Sequence, residues 1–201
     1  MTSTEEKPES IYKEIQNLLL NAVNNRSSAF HTPVFSNISE NNLIQSRTIV
    51  LRKFNNEKLT LTFHSDMRSP KIHQLKKNNN SCFLFYDTKI KIQLRIKTTS
   101  KINNQNQVTK KAWDNTSLAS RKCYLTNQPP SSLTDKPQDG IPEHLSGIDP
   151  KIDESELGYK NFAVIENSIQ NIEWLHLNYL GHKRLNIKLE NLVPEFNWII
   201  P

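Results

Sequence analysis

The chain has 201 residues, which is enough for one domain with a hydrophobic core, although only 35% of the residues are hydrophobic. Its net charge of +6 comes from scattered basic residues, so it permits anion binding but provides no basic tract of the kind that binds nucleic acid. The two cysteines lack metal-ligand spacing, and neither a signal peptide nor a long apolar run is visible, so we expect a reduced cytoplasmic protein without a metal site or a membrane span.

The first part of the chain predicts a helix, a β-hairpin and a second helix. Apolar residues at helical spacing predict the first helix over about residues 10–24. After a polar segment, "RTIVLRKF" (Arg47–Phe54) and "LTLTFHS" (Leu59–Ser65) predict two strands joined by the turn "NNEK". The second helix is expected from Ser69 to about Lys77, because serine at the N-cap and proline at the first helical position form a strong start signal.

The remaining sequence predicts mostly strands. "SCFLFYD" (Ser81–Asp87) is apolar, and "IKIQLRIKTTSKI" (Ile90–Ile102) alternates as a half-buried antiparallel strand does. Two short helices follow in "QNQVTKKAWDNTSLASRKCYL", and further strands are expected in "NFAVIENSIQNIEWLHL", "KRLNIKLE" and "FNWIIP". Residues 126–158 hold five of the ten prolines and seven acids against two lysines, which predicts a long acidic loop, either a lid or a disordered insertion.

Strands outnumber helices in this pattern, and crossover helices between parallel strands are not evident. The sequence therefore predicts a mainly β (α+β) fold, in which a six- or seven-stranded antiparallel barrel with peripheral helices forms a single domain over residues 1–201. The four glycines form neither a GxGxxG motif nor a P-loop, so any nucleotide would be held without those motifs.

Basic and hydroxyl side chains converge around the predicted hairpin and the helix after it; these are Arg47, His64, Ser65, Ser69 and Lys71. The start of one hairpin strand lies near the end of its partner, so we expect Arg47 to meet the start of this helix. A guanidinium, an ammonium, hydroxyls and helix N–H groups would together bind an anion. The alternative is an ordinary helix cap beside a solvated basic face, and the residues alone leave both interpretations open.

Three further residues each allow two interpretations. The amide of Gln93 suits the edge of a heteroaromatic ring, or it simply faces outward from the barrel. Trp174 can stack on a ring or pack in the core, and His182 can contribute to an anion site or lie in an exposed turn. No pattern of catalytic acid, base or nucleophile stands out, so the catalytic residues are unknown.

The series "RTIVLRKF…LTFHSDMRSPKIHQLKKNNNSCFLFYD…IQLRI" resembles the FMN-binding split β-barrel proteins related to pyridoxamine 5′-phosphate oxidase. The likeness covers about Arg47–Lys97 and continues more weakly through "AWDNTSLASRKCYL", "NFAVIENSIQNIEWL", "GHKRL" and the C-terminal "FNWIIP". It is nearer to the oxidase-related branch of cyanobacteria and other bacteria than to the oxidase itself. Pro70 stands where the oxidase carries an arginine, and Arg52 stands where it carries a lysine near its substrate.

The resemblance implies a homodimer with FMN at its interface and an FMN-dependent oxidoreductase of unassigned substrate. The FMN-binding residues that it implies are Arg47, Thr48, Ile49, Val50, Leu51, Arg52, His64, Ser65, Ser69, Lys71, Gln93, Trp174 and Arg184. Leu175 is an alternative to Trp174, because the local order "IEWL" shifts the tryptophan by one position. Tentative substrate residues are Ser120, Arg121 and His182.

Two alternatives to an oxidoreductase of unassigned substrate stay open. One is a flavin or tetrapyrrole binding module without turnover. The other is a true pyridoxamine or pyridoxine 5′-phosphate oxidase, which is disfavoured because several of the expected substrate cations are missing. Nucleic-acid and membrane partners are not expected.

Overall fold

The structure is a computed structural model that describes residues 7–201, so the first six residues of the predicted 1–201 domain lie outside the described residues. The helices are α1 (Pro8–Asn24), α2 (Pro70–Lys77), α3 (Gln107–Asp114), α4 (Leu118–Arg121) and α5 (Ile152–Glu156). The strands are β1 (Val34–Ile38), β2 (Ile44–Thr48), β3 (Lys53–Asn55), β4 (Thr60–Asp66), β5 (Asn80–Asp87), β6 (Ile92–Asn103), β7 (Phe162–His176), β8 (Lys183–Glu190) and β9 (Val193–Ile199).

All nine strands of the described part belong to one sheet, and every pair in it is antiparallel. The predicted mainly β fold with peripheral helices is confirmed, and the predicted number of six or seven strands was too low. The prediction missed β1, whose sequence "VFSNI" lies in a segment that looked merely polar. The first helix is confirmed and begins at Pro8, since proline suits the first helical turn.

The sheet closes on itself through the segment between β2 and β3. Strand β2 pairs with β1, whereas β3 pairs with β4, so one stretch of chain joins two distant edges of the sheet. In this stretch the Leu51 N–H donates to the His31 carbonyl over 2.9 Å, and the Arg52 N–H donates to the Thr62 carbonyl over 2.8 Å. The single strand predicted over Arg47–Phe54 was therefore wrong, because the chain changes its pairing partner inside that range.

Two apolar clusters position the functional residues. The main core fills the barrel and includes the buried face of α1 together with phenylalanines from β1, β4 and β5. In β6 the predicted alternation is confirmed, with Ile92, Leu94 and Ile96 all buried. A second, smaller cluster contains Trp113 of α3 and Phe162 of β7, whose rings lie 5.1 Å apart. It fixes α3 against the outside of the barrel.

The predicted acidic loop, about residues 126–158, is largely irregular but contains α5, which the sequence did not indicate. Arg68 holds its first residue, donating to the Thr126 carbonyl over 2.8 Å while also binding Asp66. Arg121 holds its far end through Glu156, at 2.7 Å. None of the helices within residues 7–201 has the length and apolar character needed to cross a bilayer. The same residues contain no His, Cys, Asp or Glu cluster arranged to hold a metal ion.

Candidate functional site

A cavity of about 370 Å³ lies where β2, the end of β4 and the start of α2 meet; we call it the helix-start cavity. Most of its lining residues are those that the sequence predicted. They are Arg47, Thr48, Ile49, Val50, Arg52, His64, Ser65, Asp66, Ser69, Lys71, Cys123, Tyr124 and Pro130. Leu51 is the exception in the predicted run from Arg47 to Arg52, because its side chain is buried in the main core.

Lys71 organises one end of the helix-start cavity. Its Nζ donates to the Ser65 hydroxyl over 3.0 Å and to the Ser69 hydroxyl over 2.9 Å. Ser69 occupies the N-cap position, but its side chain makes no capping bond to the helix and accepts from Lys71 instead. Burial, together with the charge of Arg47, lowers the pKa of the Lys71 ammonium, while Asp66 acts in the opposite direction. An ammonium and hydroxyls thus converge on a helix start, whose first N–H groups lack intrahelical partners.

Arg47 lines the same cavity, although not for the predicted reason. It belongs to β2 and lies opposite Phe35 of β1, so it is not part of the hairpin with β4. Its guanidinium donates to the Asn37 side chain and, over 3.0 Å, to the Gln45 carbonyl, and lies 5.8 Å from the centre of the Phe35 ring. Burial lowers the pKa of this guanidinium. Its position is therefore fixed by contacts within the protein.

His64 lies between the helix-start cavity and a second cavity. Burial, and to a lesser degree the charge of Arg52, lower the pKa of His64 to about 4, so the imidazole is neutral near pH 7. The ring packs edge-on against Phe162 with 4.8 Å between centres. Within residues 7–201 neither ring nitrogen has a hydrogen-bond partner, which leaves one donor and one acceptor for a ligand.

The second cavity, which we call the basic cavity, has a volume of about 590 Å³ and shares Arg52 and His64 with the first. Its floor is the outer face of β3, β4 and β7, where Lys53 lies opposite Thr62 and His64 lies opposite Val164. Helix α3 and the turn after it form the roof. The remaining lining residues are Arg26, Val108, Lys111, Ala112, Asn115, Thr116, Ser117, Ser120 and Glu166.

The three tentative substrate residues lie in three different places. Ser120 lines the basic cavity. Arg121 lines neither cavity: it is buried, bonds to Glu156, and lies 4.7 Å from the centre of the Trp113 ring. His182 is exposed in the turn between β7 and β8, where its Nδ1 accepts from the Asn178 N–H over 3.1 Å. The structure therefore does not bring them together.

Strand register separates Trp174 from Leu175. Gln93 lies opposite Leu175, and Leu175 lies opposite Arg184, so these three residues share the outer face of the sheet. Trp174 points the other way and is buried in the main core, and among residues 7–201 its Nε1 has no hydrogen-bond partner. On the outer face Arg184 is ion-paired with Glu173. None of these residues lines the helix-start cavity of its own chain.

Sequence reasoning missed several lining residues in both cavities. Cys123, Tyr124 and Pro130 reach the helix-start cavity from the segment after α4. That segment is held there by the ring of Tyr124, which packs against Trp113 and Phe162. The basic residues of the second cavity come from elements far apart in the chain. No local pattern marks either group, because tertiary packing alone brings these residues together.

The closed antiparallel sheet with its peripheral helices is a split β-barrel. Residues 12–104 match the family model described as the pyridoxamine 5′-phosphate oxidase FMN-binding domain, and the resemblance found in the sequence is confirmed. The chain is also similar to a pyridoxamine 5′-phosphate oxidase-related, FMN-binding protein from Nostoc punctiforme, with a TM-score of 0.74, 15% identity and coverage of 98% of this chain and 100% of that one.

Two other solved structures have the same fold. PhzG from Burkholderia lata, in complex with tetrahydrophenazine-1-carboxylic acid, matches with a TM-score of 0.76 and 15% identity over 100% of both chains. A protein of the pyridoxinephosphate oxidase family from Clostridium acetobutylicum matches with a TM-score of 0.58 and 16% identity, over 93% of this chain and 100% of that one. At these identities the likeness shows the fold alone. No curated protein sequence matches the chain.

Proposed function

We propose that this chain is a single-domain FMN-binding flavoprotein and an oxidoreductase of unassigned substrate. The observation that carries the proposal is the convergence of Arg47, Lys71 and two serine hydroxyls on the start of α2 in the helix-start cavity. The match of residues 12–104 to an FMN-binding domain supports it. The cavity volume of about 370 Å³ also lies in the usual range for small-molecule sites.

The donor set of this cavity fits a phosphate. Lys71 would supply a charge, Ser65 and Ser69 hydroxyls, and α2 its first N–H groups, while Arg47 would add a second charge. The chain from Thr48 to Arg52 would run along the rest of the cofactor. Because Leu51 is buried in the core, it would contribute only its backbone.

The chemistry that bound FMN would supply is the two-electron oxidation of a substrate, with an electron acceptor to reoxidise the cofactor. In such a reaction the protein itself would position the substrate against the cofactor and exclude water from the site. Neutral His64 would offer a hydrogen bond at the junction of the two cavities, and the basic cavity would admit the substrate. No side chain needs an unusual acid or base role in this scheme, which agrees with the absence of a catalytic pattern in the sequence.

A homodimer belongs to the proposal, because Gln93, Leu175 and Arg184 lie on the outer face, away from the cavity of their own chain. They would contact the flavin only if a second copy of the chain presented this face to the cavity. Exposed Ile44, Leu84, Tyr86 and Ile199 lie on the same face, as the strand register requires. Exposed apolar side chains gathered on one face favour an interface with another protein surface.

The decisive experiment is to purify the protein and record its visible spectrum before and after denaturation. We expect flavin absorption bands, and the released chromophore to be FMN by chromatography. Analytical ultracentrifugation of the same sample should give the mass of a dimer. A colourless protein that does not take up added FMN would show that the proposal is wrong.

The true-oxidase alternative finds less support. Arg121 was a tentative ligand for the phosphate of its substrate. In the structure this side chain lies outside both cavities, where it forms a salt bridge with Glu156 and packs over the ring of Trp113. Turnover of pyridoxamine or pyridoxine 5′-phosphate in air, with release of peroxide, would restore this alternative.

A further inference from the structure

Tyr124 brings a phenol hydroxyl to the wall of the helix-start cavity, a residue type and position that the sequence did not single out. The side chain lines this cavity and is partly buried. Among residues 7–201 its hydroxyl forms no hydrogen bond, although the Tyr124 backbone carbonyl does. Tyrosine hydroxyls that leave bulk water usually find a hydrogen-bond partner. A hydroxyl without one at a cavity wall is therefore available to a ligand.

A second tyrosine of the same aromatic cluster shows the usual arrangement. The ring centres of Tyr124 and Tyr159 both lie 5.7 Å from that of Trp113. The Tyr159 hydroxyl shares a hydrogen bond of 3.0 Å with the Thr109 hydroxyl, and Tyr159 lines neither the helix-start cavity nor the basic cavity. The two rings thus pack alike, but the Tyr124 hydroxyl faces a cavity instead of a protein partner. Packing in this cluster does not require that hydroxyl.

The groups around the Tyr124 hydroxyl place it on the side of the helix-start cavity that adjoins the basic cavity. Burial is the main reason that its pKa is raised, followed by the Cys123 thiol, while Arg52 acts in the opposite direction and Asp66 adds to the rise. These three neighbours all line the helix-start cavity. Arg52 also acts on the imidazole of His64, which lines both cavities. The phenol is therefore protonated near pH 7 and can donate a hydrogen bond at this junction.

The Tyr124 side chain is held in place before any ligand binds. Its backbone carbonyl accepts from the Asn161 side chain over 2.8 Å, and its ring packs edge-on against Phe162 with 5.1 Å between centres. Behind it, a side-chain Cβ at Gly158 would lie 3.1 Å from the Cβ of Tyr124, so only glycine allows this close approach without a shift. A donor that is already fixed loses little conformational entropy when it binds a ligand.

We infer that the Tyr124 hydroxyl donates a hydrogen bond to the bound flavin, at the part of the cofactor that carries no phosphate. This inference rests on the proposed function, because it requires FMN in the helix-start cavity. The phosphate would lie at the start of α2, where Lys71 bonds to two serine hydroxyls. The Tyr124 hydroxyl lies instead on the side of Arg52, which both cavities share.

The variant Tyr124→Phe tests the inference, since it removes the hydroxyl and keeps the ring. We expect its affinities for FMN and for riboflavin, which lacks the phosphate, to fall by about 3- to 10-fold each, the value of one neutral hydrogen bond. Fluorescence titration of the two flavins measures both affinities. Urea denaturation of ligand-free protein should show unchanged stability, because the substitution breaks no hydrogen bond within residues 7–201.

The matched control is Tyr159→Phe, which removes the same group from the same cluster outside both cavities. It should leave both flavin affinities unchanged. Three results would overturn the inference: undiminished flavin binding by the Tyr124→Phe variant, equal losses in the two variants, or a loss for FMN without a loss for riboflavin. The last result would place the hydroxyl at the phosphate.

The same titrations separate this inference from the proposed function. If the natural chain binds FMN and the Tyr124→Phe variant binds it equally well, the flavin proposal stands and the Tyr124 contact is wrong. If the natural chain takes up neither FMN nor riboflavin, the flavin proposal itself is wrong, and the Tyr124 contact is wrong with it.

Discussion

The two cavities meet at Arg52 and His64, yet they are built in different ways. In the helix-start cavity, Lys71 is held by two serine hydroxyls and Arg47 by Asn37, so both cations are positioned before a ligand binds. In the basic cavity, Lys53 and Lys111 are exposed, and within the described residues they have no ionic partner. A positioned cation loses little side-chain entropy on binding, which favours tight association. This difference suits the proposed function, in which the helix-start cavity would hold the cofactor and the basic cavity would admit the substrate.

The largest expected effect is on the free energy of unfolding, from a substitution at Trp113 that loosens helix α3, the roof of the basic cavity. Trp113→Ala should reduce the free energy of unfolding by about 3–5 kcal/mol, since Trp113 is fully buried in the small cluster that fixes α3. Urea denaturation followed by fluorescence measures this. The control is Trp198→Ala, where the side chain is half exposed and the loss should be much smaller. Equal losses would mean that the small cluster contributes no more than surface packing does.

The shared residue His64 should make stability depend on pH. Its folded pKa of about 4 lies below the unfolded value near 6.5, so the unfolded chain binds the proton first as the pH falls. Stability should be complete above pH 6.5 and decline by about 3 kcal/mol between there and pH 4. Denaturation at pH 7 and at pH 4.5 tests this, with His64→Gln as the control that lacks the decline. If the stability of the His64→Gln variant fell as steeply with falling pH as that of the natural chain, other titratable groups would be responsible for the decline.

The helix-start cavity should lose its proposed cofactor when its cations are removed. Arg47→Ala should weaken FMN binding by about 1.5–3 kcal/mol, the value of one charged hydrogen-bond partner. Fluorescence titration of FMN measures the affinity, and Lys76→Ala, an exposed residue at the far end of α2, is the control. If the Arg47→Ala variant bound FMN as tightly as the control variant does, Arg47 would not be a phosphate-binding residue.

The smallest effect is expected at Trp174. Its buried Nε1 has no hydrogen-bond partner in the described part of the chain, so Trp174→Phe breaks no hydrogen bond there. The substitution should change the free energy of unfolding by no more than about 1 kcal/mol and leave FMN affinity unchanged. Leu175→Asp, on the outer face, should instead weaken both FMN binding and dimer formation. If the Trp174 variant alone lost FMN, the flavin contact would belong to the tryptophan despite its burial.

Local patterns in the sequence predicted much of the fold, and together with the family resemblance they predicted most of the residues that line the helix-start cavity. The N-cap of α2, the alternation in β6 and the hairpin of β3 and β4 are short-range signals, and all three are confirmed. The hairpin explanation for Arg47 was wrong even though its place in the cavity was correct. Its true neighbour, β1, lies in a segment whose polar residues hid the strand. Only the closed sheet brings this arginine to the helix.

The basic cavity could not be predicted from the sequence, because its cationic residues come from separate elements and no regular spacing in the chain relates those elements. Arg26 follows α1, Lys53 begins β3 and Lys111 lies in α3. Each looks like an ordinary surface residue in the sequence. The sequence left Trp174 and Leu175 as alternatives for the flavin contact, since a shift of one residue along a strand reverses the face to which a side chain points. The register places Leu175, and not Trp174, on the same face as Gln93 and Arg184.

The segment that joins β2 to β3 also has a thermodynamic consequence. It closes the barrel through a few backbone hydrogen bonds, from the N–H groups of Ile49, Leu51 and Arg52, and it lines the helix-start cavity at the same time. A ligand bound there would therefore hold the seam of the barrel shut, because opening the seam would release the ligand. Those three amide hydrogens would exchange with solvent more slowly in protein with bound ligand than in protein without it. Tighter ligand binding would therefore raise the free energy of local unfolding at this segment.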